Sequence, residues 1–175
     1  VEHMLFKGGG RLKTGEIDDL VGRLGGNYNG FTDTDCTVYF ETLPPEHLET
    51  GLMIEAERMR NAAFDPPETE AERGVIISER EGAENSPKYL LSEEMWHLAF
   101  HVHPYHWPVI GWKADLERMT RDELYAYYLQ HYAPNNAVLA VTGRFEPRDA
   151  MKNIRVQFGG FRPEAQPPPL AVKEP

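Results

Sequence analysis

A mixed helical and strand architecture follows from three features of the sequence. Apolar residues recur at helical spacing in several segments, among them Ile17, Leu20, Val21 and Leu24 and then Leu48, Leu52, Met53, Ala56 and Met59. Between those two segments the character changes. Residues 27–43 are rich in β-branched and aromatic side chains on either side of the polar turn Asp33-Thr34-Asp35, a pattern that predicts two strands. Serine, threonine and proline punctuation marks further helix starts at Ser86-Pro87 and Thr120-Arg121-Asp122-Glu123.

In chain order, residues 1–7 read as the end of a helix closed by Gly8-Gly9-Gly10. Thr14 is expected to cap a helix from Gly15 to Leu24, ended by Gly25-Gly26. Cys36 falls in strand-like sequence and reads as a small core residue. Pro44-Pro45 stops the second strand, a helix runs from Glu46 to Ala63, and Phe64-Asp65-Pro66-Pro67 reads as a linker. The helix from Glu68 to Glu84 carries Val75-Ile76-Ile77, an apolar run that predicts burial on more than one side. Ser86 opens a helix to about His101, followed by a loop rich in proline and aromatic residues, and the capping box at Thr120 opens another to His131. Val138, Leu139, Ala140 and Val141 predict a buried strand over 136–143, and Pro147 to Phe158 a last helix. The tail from Arg162, with Pro167-Pro168-Pro169, reads as a linker, and no internal repeat is visible.

Length and composition set outer bounds. With 175 residues, 41% hydrophobic and 26% charged, the chain suits one domain with a substantial core. No apolar run approaches the roughly 18 residues of a membrane span. A net charge of -10 argues against nucleic acid as a partner. A single cysteine excludes an internal disulfide and a cysteine-rich metal site.

The candidate chemistry begins at Glu2-His3. These residues, followed by Met4, Leu5 and Phe6, match the end of an H-x-x-E-H zinc motif whose first histidine would lie two residues before Val1. In that motif the two imidazoles project from one helical face to one ion, and the intervening glutamate faces the open coordination position. Glu72 and Glu79, seven apart, share one face of their predicted helix, where carboxylates beside apolar residues call for partners. Both also read as solvated glutamates, Glu72 beside Arg73 and Glu79 within Glu79-Arg80-Glu81, and Asn29 as a turn or edge residue. His97, His101, His103 and His106 form a rival histidine cluster, with His97 and His101 spaced to chelate but no carboxylate between them to act as a base. The tyrosines 125, 127, 128 and 132, with Trp107 and Trp112, read as packing residues.

Taken together, Glu2-His3-Met4-Leu5-Phe6-Lys7-Gly8, the segment from Gly25 through Glu41, Glu72 to Glu79, His103-Pro104-Tyr105, Pro108 to Gly111, Tyr132 to Asn136 and Val141-Thr142-Gly143 resemble the N-terminal domain of M16 zinc peptidases, the inverzincin, pitrilysin and mitochondrial processing peptidase type. The resemblance runs the length of the chain. It implies an α+β fold, a mostly antiparallel sheet with helices packed on one face, with residues 1–161 as the peptidase domain and 162–175 as a linker toward a homologous second domain that closes over substrate. It implies Zn2+ held by His3 and Glu79 with the upstream histidine, Glu2 as general base and Glu72 as an accessory catalytic glutamate. Asn29, Gly30 and Phe31 would lie on the edge strand that takes an extended peptide, Gly30 standing where the family usually has alanine. The reaction implied is peptide hydrolysis by metal-activated water, and without the first histidine the chain as given is expected to bind zinc poorly and cleave little. The alternative within the same resemblance is a catalytically silent domain that holds substrate for an active homologue. The look of the segment from Leu98 to Gly143 leans toward the bacterial periplasm.

Overall fold

The computed structural model of the chain describes residues 1–166 and 169–175; Pro167 and Pro168, part of the proline run expected in the linker, lie outside the described residues. A short 3-10 turn, Glu2–Phe6, leads into α1 (Glu16–Arg23), the strands β1 (Asn27–Thr32) and β2 (Thr37–Thr42), and the helices α2 (Leu48–Asn61) and α3 (Pro66–Glu84). Then follow α4 (Pro87–Ala99), α5 (Lys113–Arg118), α6 (Arg121–His131) and α7 (Pro147–Phe158). The class is α+β, with β1 and β2 pairing antiparallel so that Asn27 faces Thr42 and Thr32 faces Thr37. None of the described helices is long and apolar enough to cross a membrane.

Much of this order rests on local chemistry. The turn between the strands closes through Asp33 N donating to Cys36 O at 2.8 Å, while Asp33 Oδ1 accepts from Thr34 N. Thr120 and Glu123 form the expected capping box of α6, and the Ser86 hydroxyl accepts from Tyr89 N at the start of α4. Ile17 and Val21 of α1 bury against Ile54 of α2 and Leu12. A second cluster joins Met4 and Leu5 of the amino-terminal turn to Ala62, Phe64 and Tyr128, so the core sits directly behind Glu2 and His3.

The structure corrects several expectations. Segment 136–143 is not a buried strand: after a 3-10 turn at Pro134–Asn136 it runs without regular structure, and Val138 is 96% exposed. A buried strand needs a neighbour to accept its backbone hydrogen bonds and cover its side chains, and among the described residues β1 and β2 pair only with each other. Val75 is 42% exposed, and Ile76 lines an open cleft, so the apolar run is not covered on every side. Cys36 is exposed, its position fixed by the turn it closes.

The supposed linker 64–67 is part of the packed body. Phe64 takes a positive φ of 48° that folds its ring between Tyr125 and Tyr128, and Asp65 caps α3 by accepting from Glu68 N. Arg121 holds the bend by donating to Phe64 O and Ala63 O. Gly15, at φ 84°, occupies the α1 cap position expected of Thr14, whose hydroxyl donates instead to Lys7 O at 3.0 Å. Helix α5 was not anticipated from the sequence. The tail runs back along the body: Glu164 exchanges hydrogen bonds with Asn135, and the Glu174 carboxylate accepts from the backbone of His101, Val102 and His103.

Candidate metal and peptide site

The amino-terminal residues form a 3-10 turn rather than the end of an α-helix, with Met4 N donating to Val1 O and Lys7 N to Met4 O. Met4 and Leu5 enter the core, and Arg58 of α2 secures the turn by donating from Nε to Leu5 O at 3.3 Å. The Arg58 guanidinium also lies over the Phe6 and Tyr39 rings, at 5.1 and 4.8 Å from their centroids. Glu2 and His3 are thereby held at the mouth of a cleft of about 1330 Å³, bounded on one side by β1 and on another by α3.

Helix α3 brings two carboxylates to His3. Glu72 Oε2 lies 2.8 Å from His3 Nδ1, and Glu79 Oε2, two turns further on, lies 3.8 Å from His3 Nε2. An ionised carboxylate only accepts, so Nδ1 is the donor to Glu72, and Nε2 is the ring nitrogen on the side of Glu79. Burial pushes the Glu72 carboxyl up, but hydrogen bonds from Lys7 and His3 outweigh it and hold the group below the usual carboxylate range. Lys7 Nζ reaches Glu72 Oε1 at 2.6 Å, and this hydrogen bond raises the ammonium above its ordinary value. The arginines that could have made these glutamates ordinary surface ion pairs are engaged elsewhere: Arg73 pairs with Glu70, and Arg80 with Glu84 and Glu93.

These residues fit part of a zinc site. Zinc takes imidazole nitrogen and carboxylate oxygen at about 2.0–2.2 Å, so one ion can be shared by Nε2 and Glu79 Oε2 across their 3.8 Å separation. Glu72, on the opposite ring nitrogen, stands where an outer carboxylate would orient a metal-bound histidine. No set of three donors converges among the described residues.

Glu2 accepts a hydrogen bond from Thr32 Oγ1 at the end of β1, a partner the sequence did not signal, and Thr32 Oγ1 is also 3.2 Å from Thr37 Oγ1 across the register. Gly30 and Phe31 line the cleft. A Cβ on Gly30 would stand 2.9 Å from Phe6 Cζ and 3.0 Å from Tyr39 Cδ1, so the glycine lets the strand close onto the amino-terminal turn. Asn29 is exposed outside the cleft lining, its Oδ1 accepting from Gly30 N. The histidine cluster holds aromatic company: His97 meets His106, His103 lies against Phe100 and Tyr105, and His106 against Trp107.

Known proteins share the sequence and the fold of this chain. The profile of insulinase, peptidase family M16, matches residues 1–111, and that of the peptidase M16 inactive domain matches 118–175. The zinc protease PqqE of Helicobacter pylori is 32% identical across 100% of this chain and 40% of its own length. The uncharacterized zinc protease YmxG of Bacillus subtilis is 27% identical over 92% of this chain and 39% of its own. The crystal structure of a protease from Helicobacter pylori superposes with a TM-score of 0.93 at 32% identity, covering 99% of this chain and 42% of that one. The fold is shared with the periplasmic protease PqqL of Escherichia coli, at a TM-score of 0.86 and 24% identity over 99% of this chain and 20% of that one. This chain thus spans about 40% of the length of the first of these curated relatives. With its site residues all inside the matched stretch 1–111, the chain belongs to the insulinase family of peptidases, M16.

Proposed function

We propose that this chain carries the zinc-binding and proton-transferring half of a metallopeptidase that cuts extended peptides. The observation that carries the reading is the meeting of His3 with Glu72 and Glu79, side chains some 70 positions away in sequence, at 2.8 and 3.8 Å. The relatives named as zinc proteases support the choice of metal. His3 and Glu79 would hold the ion, together with a donor from outside this chain's described residues. Bound there, zinc would act as a Lewis acid that makes water nucleophilic near neutral pH and polarises a peptide carbonyl.

The remaining work falls to protein groups. Glu2, its carboxylate steadied by Thr32, takes a proton from the attacking water and returns it to the leaving amine. Glu72 keeps the His3 ring turned to the ion. An extended peptide would lie along β1, its backbone paired with the strand and a side chain resting on Phe31, which is half exposed at the cleft. Such docking favours unfolded segments, because a folded protein cannot offer a free strand. Residues 1–161 would form the peptidase unit, with 162–175 leading toward a homologous second domain that completes the enclosure of substrate.

A silent, substrate-holding role is the second reading, favoured by the two-donor count at His3 and Glu79. Zinc content and cleavage of an unfolded peptide by the full-length protein, beside Glu79→Gln and Glu2→Gln, separate the two. The peptidase reading expects zinc lost in Glu79→Gln and activity lost with zinc kept in Glu2→Gln. Full zinc and full activity in both variants would overturn it, and a wild-type protein without zinc or cleavage would establish the silent role.

A further inference from the structure

The Lys7 side chain closes the amino-terminal turn against α3. Its Nζ lies 2.6 Å from Glu72 Oε1 and 3.6 Å from Glu68 Oε2. The other oxygen of Glu72 is the one that meets His3 Nδ1 at 2.8 Å. A single carboxylate therefore joins the lysine to the histidine, and with side-chain exposures of 28% for Lys7 and 13% for Glu72 the link is largely withdrawn from solvent.

The backbone prepares this contact. Lys7 N donates to Met4 O, Lys7 O accepts from Thr14 Oγ1, and Gly8 follows at φ 80°, where a Cβ would collide with Leu12 O at 2.4 Å. The lysine stem thus leaves a fixed point and reaches a glutamate on a rigid helix. The terminal torsion of a glutamate is broad and soft, so a carboxylate held by His3 alone could swing and let the imidazole turn with it. A cation on Oε1 and the ring on Oε2 leave it one orientation.

We propose that Lys7 is a positioning residue of the metal site: by clamping Glu72 from the side opposite His3, it fixes the imidazole so that Nε2 faces Glu79. This rests on the reading of His3 and Glu79 as zinc ligands. Lys7 touches neither ion nor substrate in this scheme and acts through Glu72. A merely structural lysine would tie the turn to α3 without affecting the ring.

The test uses the full-length protein with Lys7→Met, which keeps the stem and removes the charge, and Lys7→Arg, which keeps the charge. Zinc affinity is measured by competition with a chelator, the His3 ring by nitrogen NMR of the zinc-free protein, and folding by the thermal midpoint of the same zinc-free sample. Loss of an outer partner of a metal-bound histidine weakens binding by about 10- to 100-fold. Lys7→Met is expected near the lower end, about 10-fold, with altered His3 ring shifts, an unchanged zinc-free midpoint and recovery of most of the affinity in Lys7→Arg. Wild-type zinc affinity and ring shifts in Lys7→Met, while Glu72→Gln is weakened, would overturn the role of Lys7 and leave the ligand assignment standing. Weaker binding matched by a lowered zinc-free midpoint would assign Lys7 a structural part instead. Unchanged zinc affinity in Glu79→Gln would overturn the ligand assignment, and this proposal with it.

Discussion

The amino-terminal turn carries one histidine and the stretch from His97 to His106 carries four, yet among the described residues the single histidine is the one whose ring meets carboxylates, Glu174 reaching only the backbone of His101 and His103. His3 projects from a turn pinned to the core, opposite a helix whose glutamates repeat every seven residues and so face it twice. The four histidines lie on a helix end and loop among Phe100, Tyr105 and Trp107, and the rings of His97, His103 and His106 meet aromatic partners tilted or edge-on. The contrast teaches that histidine density does not by itself bring charged partners to a ring: the carboxylates that meet His3 arrive from a separate element, and the arginines beside them are occupied elsewhere. Each region has a buried arginine behind it: Arg58, between Glu41 and Glu55, supports the first, and Arg80, between Glu84 and Glu93, the second.

The largest effect expected from this comparison is chemical. Glu2→Gln should lower cleavage of an unfolded peptide by about 10²- to 10⁴-fold, the usual worth of a general base, while zinc content stays at the wild-type level. A comparable loss from His101→Ala would break the distinction between the two regions.

Removing the support behind the site comes next. The Arg58 side chain is 1% exposed and donates to Glu41, which is 7% exposed, so Arg58→Met leaves a buried carboxyl group without its donor. A cost of about 1–3 kcal/mol in urea unfolding is expected for leaving such a group unsatisfied. Part of the Arg58 charge is met by aromatic faces, since its Nη2 has no hydrogen-bond partner among the described residues and the guanidinium lies over Phe6 and Tyr39. Arg80→Met should cost a comparable amount: Glu84, 41% exposed, can rehydrate, but Glu93, 11% exposed, loses both of its guanidinium hydrogen bonds.

A pH effect sharpens the same point. Burial, reinforced by the neighbouring Glu55 carboxylate, pushes Glu41 up to about 8 against the pull of Arg58, from an ordinary value of 4.5. The folded state therefore keeps a proton that the unfolded chain has released between about pH 4.5 and 8. The stabilisation is complete below that window and is lost as pH rises through it, at no more than about 1.4 kcal/mol per pH unit. Urea midpoints across pH 4.5 to 8 should show this slope in the wild type and a flatter profile in Glu41→Gln. At the small end, His97→Ala with His101→Ala should leave the free energy of zinc binding within about 0.5 kcal/mol of wild type, as expected of changes remote from a site. A larger loss in chelator competition would place a metal in the histidine loop.

What could be read in advance was mostly local. The strand pair announced itself through its side chains and the Asp33-Thr34-Asp35 turn, and the starts of α4 and α6 through their caps, because these signals act within a few residues. The seven-residue spacing of Glu72 and Glu79 was legible for the same reason. Thr32 and Lys7 were not singled out: their partners, Glu2 and Glu72, are 30 and 65 positions away, and a lone threonine or lysine carries no pattern of its own. Phe64 was misread because Pro66-Pro67 nearby suggested a linker, whereas a rare positive φ turns its ring into the core.

By itself the sequence determined the β1–β2 pair, the larger helices and which side chains share a helical face, since backbone preference and periodicity depend on near neighbours alone. Burial was decided only by the tertiary structure, as Val138 and Phe64 show in opposite directions, because an apolar residue leaves water only where another element arrives to cover it. The same holds for the site. Glu79 is a surface glutamate on its own helix, and it becomes a partner of His3 only because Met4 and Leu5 sink into the core and set the turn across from α3.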